Sequence, residues 1–260
     1  MTKFFHSIRV IAYREFLHFI QDRMRMISSF SMPILFLIIF GAGFGQLIGQ
    51  MMPGVDYIQF MYPGILAMTV LMTSIMSGVS IVWDREFGFL KEVLVSPLNR
   101  SGILLGKATG AIGIALMQGI IMLVVAPFVG VSLSWGIVLG LLPLIIILAM
   151  SMSALGLLIG SRMRSQQGFQ ITMQLVIFPM MFLSGIFFPV TGIATWMEIL
   201  SKINPVTYAI DAIRQVFLGT DAAGVIIFGH TMGIWESALL VAGVGVVLLL
   251  VAVWAFNRQE

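Results

Sequence analysis

Several stretches of this chain run for about 20 residues with almost no ionisable side chain, and that length limits the fold more than any motif does. Hydrocarbon offers no hydrogen bonds to exposed backbone, so a spanning segment is either a helix or a strand of a closed barrel. The runs lack the period-2 alternation of barrel strands and therefore read as helices. Hydrophobic residues make up 59% of 260 and charged residues 10%, with mean hydropathy +1.06, far from the composition of a soluble domain. An all-α integral membrane protein is expected.

Spans fall near 27–48, 59–82, 108–129, 136–160, 171–189 and 237–256, six crossings within one transmembrane domain covering 1–260. Residues 1–26 carry Lys3, Arg9, Arg14, Arg23 and Arg25 without a continuous apolar core, so no cleavable signal is expected there. With six crossings, those five basic residues share one side with Arg85, Lys91, Arg100, Lys107, Arg162, Arg164 and Arg258. Only Lys202 and Arg214 fall on the other. Lys and Arg are retained in the cytoplasm, which places both termini and the 84–107 segment there. The net charge of +3 follows from topology and anionic lipid headgroups, with no nucleic-acid partner implied. Cysteine is absent, which excludes disulfides and thiolate metal sites.

Residues 3–25 read as an amphipathic helix lying along the membrane surface, with Phe5, Ile8, Ala12, Phe16 and Phe19 on one face. Lys3, Ser7, Arg14, His18, Gln21 and Arg25 lie roughly opposite. Packing of that helix on a partner protein is the alternative. Beyond the fifth span, residues 190–236 are external yet apolar. Pro205 divides what would be one helix into two short ones, with Asn204 at the N-terminal cap of the second. Such half-helices, packed on protein, are tolerated at membrane depth.

Catalytic and cofactor motifs are missing from the spans. Gly102-Ile-Leu-Leu-Gly106-Lys107 superficially resembles a phosphate-binding loop. It has three residues between its glycines instead of four, Ala108 where Ser or Thr is needed, and no preceding strand. His6, His18 and His230 are far apart and on different sides. Apart from Lys107 and Glu236 at span edges, no ionisable group sits in a span, which disfavours ion-coupled transport and intramembrane proteolysis. An enzyme acting on lipid would need a nucleophile or an acid/base constellation that is not found.

The positive signal is the polar island DREFGFLKEVLVSPLNRSGILLGK, residues 84–107. Asp84, Arg85, Glu86, Lys91 and Glu92 alternate with Phe87, Phe89, Leu90, Val93 and Leu94 before Ser96-Pro97 ends the helical pattern. An amphipathic helix held between two spans could pass a push from a cytosolic domain into the membrane. A solvated loop whose charges only hold topology fits the same residues, and a membrane scaffold would use such a helix merely for docking.

That segment, with FLSGIFFP at 182–189 and NPVTYAIDAIR at 204–214, resembles the permease subunits of ABC-2 type transporters, a family that includes daunorubicin-type drug-efflux and polysaccharide-export permeases. The three segments occur in the family's order, and the similarity covers nearly the whole chain. The resemblance implies an export permease without catalytic residues of its own. It would be paired with a second copy or a related permease and with two ABC ATPase subunits, which hold ATP and Mg. It places an ATPase-coupling helix on Asp84, Arg85, Glu86, Phe87, Gly88, Phe89, Lys91, Glu92, Ser96 and Pro97. It also makes Asn204, Pro205, Tyr208, Asp211 and Arg214 candidates for an external gate, although Asp211 and Arg214 fit a weak solvated pair as well. Thr69, Thr73 and Ser77 on the second span and Gln174, Phe178, Met181 and Phe182 on the fifth are candidates for a substrate path suited to hydrophobic or amphipathic cargo. Ordinary helix packing accounts for them equally. Gly41, Gly45 and Gly49, and Gly156 and Gly160, are spaced for close helix approach.

Overall fold

The computed structural model describes residues 2–51, 57–88, 99–187, 190, 194–219, 225–227 and 230–258. The chain begins with α1 (Thr2–Gln21) and α2 (Arg23–Met51). Next come α3 (Tyr57–Ile75) and α4 (Val79–Glu86), joined through a single 3-10 turn at Met76–Gly78. Then follow α5 (Arg100–Val125), α6 (Trp135–Arg162), α7 (Gln166–Phe182), α8 (Thr195–Ile203), α9 (Pro205–Leu218) and α10 (Ile234–Asn257). An antiparallel pair of two-residue strands, Ile226–Ile227 with His230–Thr231, is the only sheet among the described residues.

Helix starts follow local chemistry. Asn99, Ser134, Ser165 and Asn204 each accept a hydrogen bond from a backbone N–H in the first turn of α5, α6, α7 and α9. Asp22 does the same for Arg25 at 3.0 Å, which ends the expected 3–25 surface helix at Gln21 and starts the first apolar helix four residues earlier than its composition suggested.

Five helical runs among the described residues are long and apolar enough to cross a membrane: 23–41, 57–86, 100–129, 135–162 and 234–257. The fifth expected crossing is shorter than its apolar composition suggested. Helix α7 has 17 residues and gives way at Leu183–Gly185 to a turn in which Gly185 takes φ 81°. Pro179 lies one turn before that end.

Helix α3 is central: 72% of its apolar window is buried, against 17% for α2, which stands at the edge. Helices α5, α6 and α9 surround α3, and α10 packs along α6. Two contacts need glycine. A Cβ on Gly156 or Gly160 would overlap the carbonyl of Ile75 or Gly78, and one on Gly78 the carbonyl of Gly156, so α6 meets the 3-10 turn backbone to backbone. Gly41 of the first glycine stripe faces Ile58, while the contacts of Gly45 and Gly49 lie outside the described residues.

Candidate functional site

Of the charged residues at the end of α4, Asp84 is buried, Arg85 half-buried and Glu86 exposed. Asp84 is 7% exposed and each of its carboxylate oxygens holds a cation: Oδ1 accepts from Arg14 of α1 at 3.0 Å, and Oδ2 pairs with Lys107 Nζ of α5 at 2.7 Å. Lys107 is 1% exposed and also donates to Glu15 Oε1 and Ser80 Oγ, both at 2.9 Å. At 1.5 Å rise per residue it lies about 10 Å along α5 from Arg100, where a lone ammonium would be costly. Two carboxylates and a hydroxyl make that depth tolerable.

The next two residues meet helix ends. Arg85 donates to the carbonyls of Met163 at 2.5 Å and Ser161 at 2.9 Å, at the C-terminus of α6. Glu86 accepts from the backbone N–H of Gln166 at 3.1 Å, at the N-terminus of α7. Cation and anion each sit at the helix end whose unpaired backbone groups and dipole favour that charge.

Phe87 follows at 80% exposure, and Gly88 takes φ 78°. Of the residues expected on the same cytosolic helix, Phe89, Lys91, Glu92, Ser96 and Pro97 lie outside the described residues.

Helix α1 lies against the first half of α5. Gly102, Gly106 and Gly110 form a groove in which an added Cβ would stand 2.9 Å from Ser7 Cβ, 2.7 Å from Ile11 Cβ and 2.8 Å from Glu15 Cβ. The seated face is therefore Ser7, Ile11 and Glu15. Ser7, expected on the polar face, is fully buried, while of the expected apolar face Phe5 is 66% exposed and Phe19 is buried. Groove depth decides which stripe of α1 docks.

Within the spans, Thr69 donates to the carbonyl of Ile65 in its own helix, at 2.9 Å. Thr73 donates to Gln118 Oε1, and Gln118 Nε2 donates to Ser29 Oγ at 2.8 Å, so one polar chain ties α3, α5 and α2. Ser77 Oγ finds no hydrogen-bond partner among the described residues. On α7, Met181 is buried, while Gln174, Phe178 and Phe182 are exposed. The rings of Phe178 and Phe182 stack at 6.4 Å, and Phe182 leads through Phe187 to Phe36 and Phe40 of α2, with neighbouring centroids 5.3–5.6 Å apart.

At the opposite end, two of the sequence segments singled out above form one unit. Asn204 Nδ2 donates to the Met180 carbonyl at 2.7 Å, Thr207 Oγ1 to Leu183 at 3.4 Å, and Arg214 Nη2 to Gly185 at 2.6 Å. Helix α9 thus satisfies the carbonyls released where α7 ends. Asn204 also caps α9 through Val206 N at 3.1 Å, Pro205 occupies its first position, and Tyr208 donates to Lys202 at 2.6 Å.

Asp211 and Arg214 are both buried and make no ion pair with each other, which removes the solvated pair. Asp211 accepts from Gln215 at 2.7 Å, while the Arg214 guanidinium lies 4.1 Å from the Phe60 ring centroid. Burial raises the Asp211 carboxyl, opposed by the Gln215 and Val225 hydrogen bonds and the Arg214 charge. Burial likewise lowers Arg214 to about 10, opposed by Asp211, so the guanidinium stays charged at neutral pH.

Sequence reasoning did not find Arg14, Glu15, Lys107 or Gln118 as members of these networks. The usable signal was the four-residue spacing of Gly102, Gly106 and Gly110, which marks a helix seat.

Residues 6–218 match the family described as ABC-2 type transporter. The chain is 29% identical over 224 residues to ycf38 of Cyanophora paradoxa, named as a transport permease, covering 84% of this chain and 77% of that one. It is 29% identical to Nodulation protein J of Rhizobium leguminosarum bv. viciae, covering 74% of each. YbhR of Escherichia coli strain K12, named as a multidrug ABC transporter permease, is 32% identical over 64% of this chain and 45% of its own length.

Proposed function

Because the chain belongs to the ABC-2 type transporter family, we propose that it is the permease subunit of an ATP-driven exporter, with ATP and Mg held by a separate ATPase. The family assignment, spanning both the charged end of α4 and the α7–α9 unit, is the observation that carries this reading. In it, α7 is the crossing between α6 and the external half-helices: its 17 residues reach the lower limit for a span, about 17. Six crossings put both termini and the basic end of the bundle in the cytoplasm of a prokaryotic inner membrane. Helix α1 lies in the headgroup zone with Phe5 and Tyr13 toward lipid.

Two permease chains, identical or related, enclose the path, with two ATPase subunits beneath. The docking segment begins at Phe87, since Asp84 and Arg85 are engaged inside the chain. ATP-driven closure of the ATPases would displace that segment and rock the helices from inward-facing to outward-facing. The α7 face with Phe178 and Phe182 would offer cargo aromatic contact beside the amide of Gln174. That chemistry suits a drug, a lipid or a lipid-linked glycan.

The test is affinity purification from mild detergent, with mass spectrometry and an ATPase assay on what co-purifies. An ATPase is expected in stoichiometric amount. Gly88→Pro, which cannot adopt φ 78°, is expected to lose it while the chain still inserts. A stable chain that retains no ATPase would sink the reading.

A further inference from the structure

Of the five long apolar runs, that of α2 is the least buried, and one stretch within it, SSFSMP at 28–33, is poorly suited to a stiff helix. Pro33 has no N–H to give the Ser29 carbonyl, and its ring crowds that oxygen. Ser28, Ser29 and Ser31 turn their hydroxyls back onto the carbonyls of Arg25, Met26 and Ile27 at 3.0, 2.7 and 3.0 Å. Such bonds compete with the helix ladder and bend helices. Four of six consecutive residues therefore soften α2 at one place.

The arms on either side of that place are held by different chemistry. Before it, Arg25 lies over the ring of buried Phe19 at 5.7 Å, and Ser29 Oγ accepts from Gln118 Nε2 at 2.8 Å. Gln118 is fully buried and its other amide atom accepts from Thr73, so pulling Ser29 away would leave an amide N–H unpaired at membrane depth. Beyond it, Phe36 and Phe40 lie 5.4 and 5.3 Å from Phe187, and Gly41 faces Ile58. Lipid tails are as apolar as those partners, so ring and aliphatic contacts part at small cost.

We propose that α2 is hinged at residues 28–33, with Gln118 as the positioning residue that pins the arm before the joint, while the arm beyond it carries Phe36 and Phe40 onto and off Phe187. The use of this motion rests on the permease reading, in which the same rings continue the aromatic face offered to cargo. Thr73, a candidate for the substrate path by sequence, then serves the pin: its hydroxyl fixes the Gln118 amide that holds Ser29.

The experiment places two spin labels on the full chain in lipid vesicles. One is at Leu139→Cys on α6, and the other is at Ile27→Cys before the joint or Gly43→Cys beyond it. Leu139 and Ile27 are exposed, and a side chain at Gly43 meets open space. The parent chain has no cysteine, and excess unlabelled chain keeps both labels of a pair in one protomer. A swing of about 20° moves Gly43, about 15 Å along the axis from Pro33, by about 5 Å, so its distance distribution should be about twice as wide as that of Ile27. Pro33→Ala restores the missing hydrogen bond and should narrow the Gly43 distribution to the Ile27 width. Ser28→Ala with Ser31→Ala, both at exposed positions, should narrow it in the same direction without opening a cavity. Gln118→Met leaves Ser29 on the Met26 carbonyl and Thr73 free to turn to its own helix, as Thr69 does. It should lower the melting temperature by no more than about 4 °C and widen the Ile27 distribution about twofold.

Equal widths at Ile27 and Gly43 in the unsubstituted chain would overturn the hinge. So would a Gly43 width that neither Pro33→Ala nor the double serine variant narrows, because tilting of α2 as a rigid rod does not depend on Pro33. An unchanged Ile27 width in Gln118→Met, or a much larger fall in its melting temperature, would make Gln118 a stability contact and remove it as the pin. These measurements need only the chain in lipid and decide the hinge separately from the permease reading, which falls if no ATPase co-purifies.

Discussion

Substituting Gly106 by alanine tests whether the groove on α5 sets the position of α1. The new Cβ would stand 2.7 Å from Ile11 Cβ and 3.0 Å from the Ile8 carbonyl oxygen, where ordinary contact is about 3.5–4.0 Å. Neither neighbour is the free end of a flexible side chain, so α1 itself must retreat by about 1 Å. A retreat of that size would stretch the 2.9 Å Lys107–Glu15 contact to about 4 Å, past hydrogen-bond length. Overpacking costs about 1–3 kcal/mol, and the better helix propensity of alanine returns about 1 kcal/mol. One weakened charged hydrogen bond adds about 1.5 kcal/mol, leaving a net effect of about 2 kcal/mol against docking. At 1.4 kcal/mol per factor of ten, the undocked population rises about thirtyfold. Ser7→Cys, at a fully buried position in a chain without cysteine, reports it through the rate of maleimide labelling in membranes. Gly113→Ala is the control on the same helix, because its Cβ would meet only Phe16 Cδ2 at 3.7 Å. Equal labelling of Ser7→Cys in the two alanine backgrounds would refute the reasoning.

Gly156→Ala forces a side chain into the Ile75 carbonyl and is expected to abolish monodisperse protein, whereas Gly43→Ala, with open space around it, leaves the yield intact; size-exclusion profiles decide. Lys107→Met strips Glu15 and Asp84 of a shared buried cation and should cost about 3–5 kcal/mol, softened by Arg14, which stays on Asp84. Lys202→Met breaks a half-exposed pair with Glu198 and should cost less than about 1 kcal/mol, so melting curves of the two variants should separate clearly. Asn204→Ala removes a cap worth about 1 kcal/mol and leaves the Met180 carbonyl without its donor, for about 2–3 kcal/mol in all. Amide exchange at Val206 and Thr207 should accelerate ahead of the rest of α9.

The long apolar helices, the Pro205 break and the Asn204 cap were legible because each depends on residues close in sequence. The face by which α1 docks was not. An amphipathicity argument ranks side chains by polarity, while the docking face was chosen by three glycines, each 95 residues downstream of its partner, that admit Ser7, Ile11 and Glu15. Lys107 read as a topology-holding charge at a span edge for a related reason: its partners lie 92 and 23 residues away, and neither separation has a local signature. The same limit applies to α7, whose carbonyls are satisfied by Asn204, Thr207 and Arg214. Its short length becomes intelligible only once α9 is in place beneath its end.

The seat for α1 also sets an order of events during synthesis. With elongation at about 5–20 residues per second, Lys107 is joined to the chain some 5–20 s after Glu15. Over that interval the finished surface helix has neither its groove nor its counter-ion. Two hydrophobic segments must enter the bilayer before it can settle. A piece of the protein made early is thus among those fixed late, and an N-terminal fusion that restrains α1 would interfere with completion of the bundle rather than with its initiation.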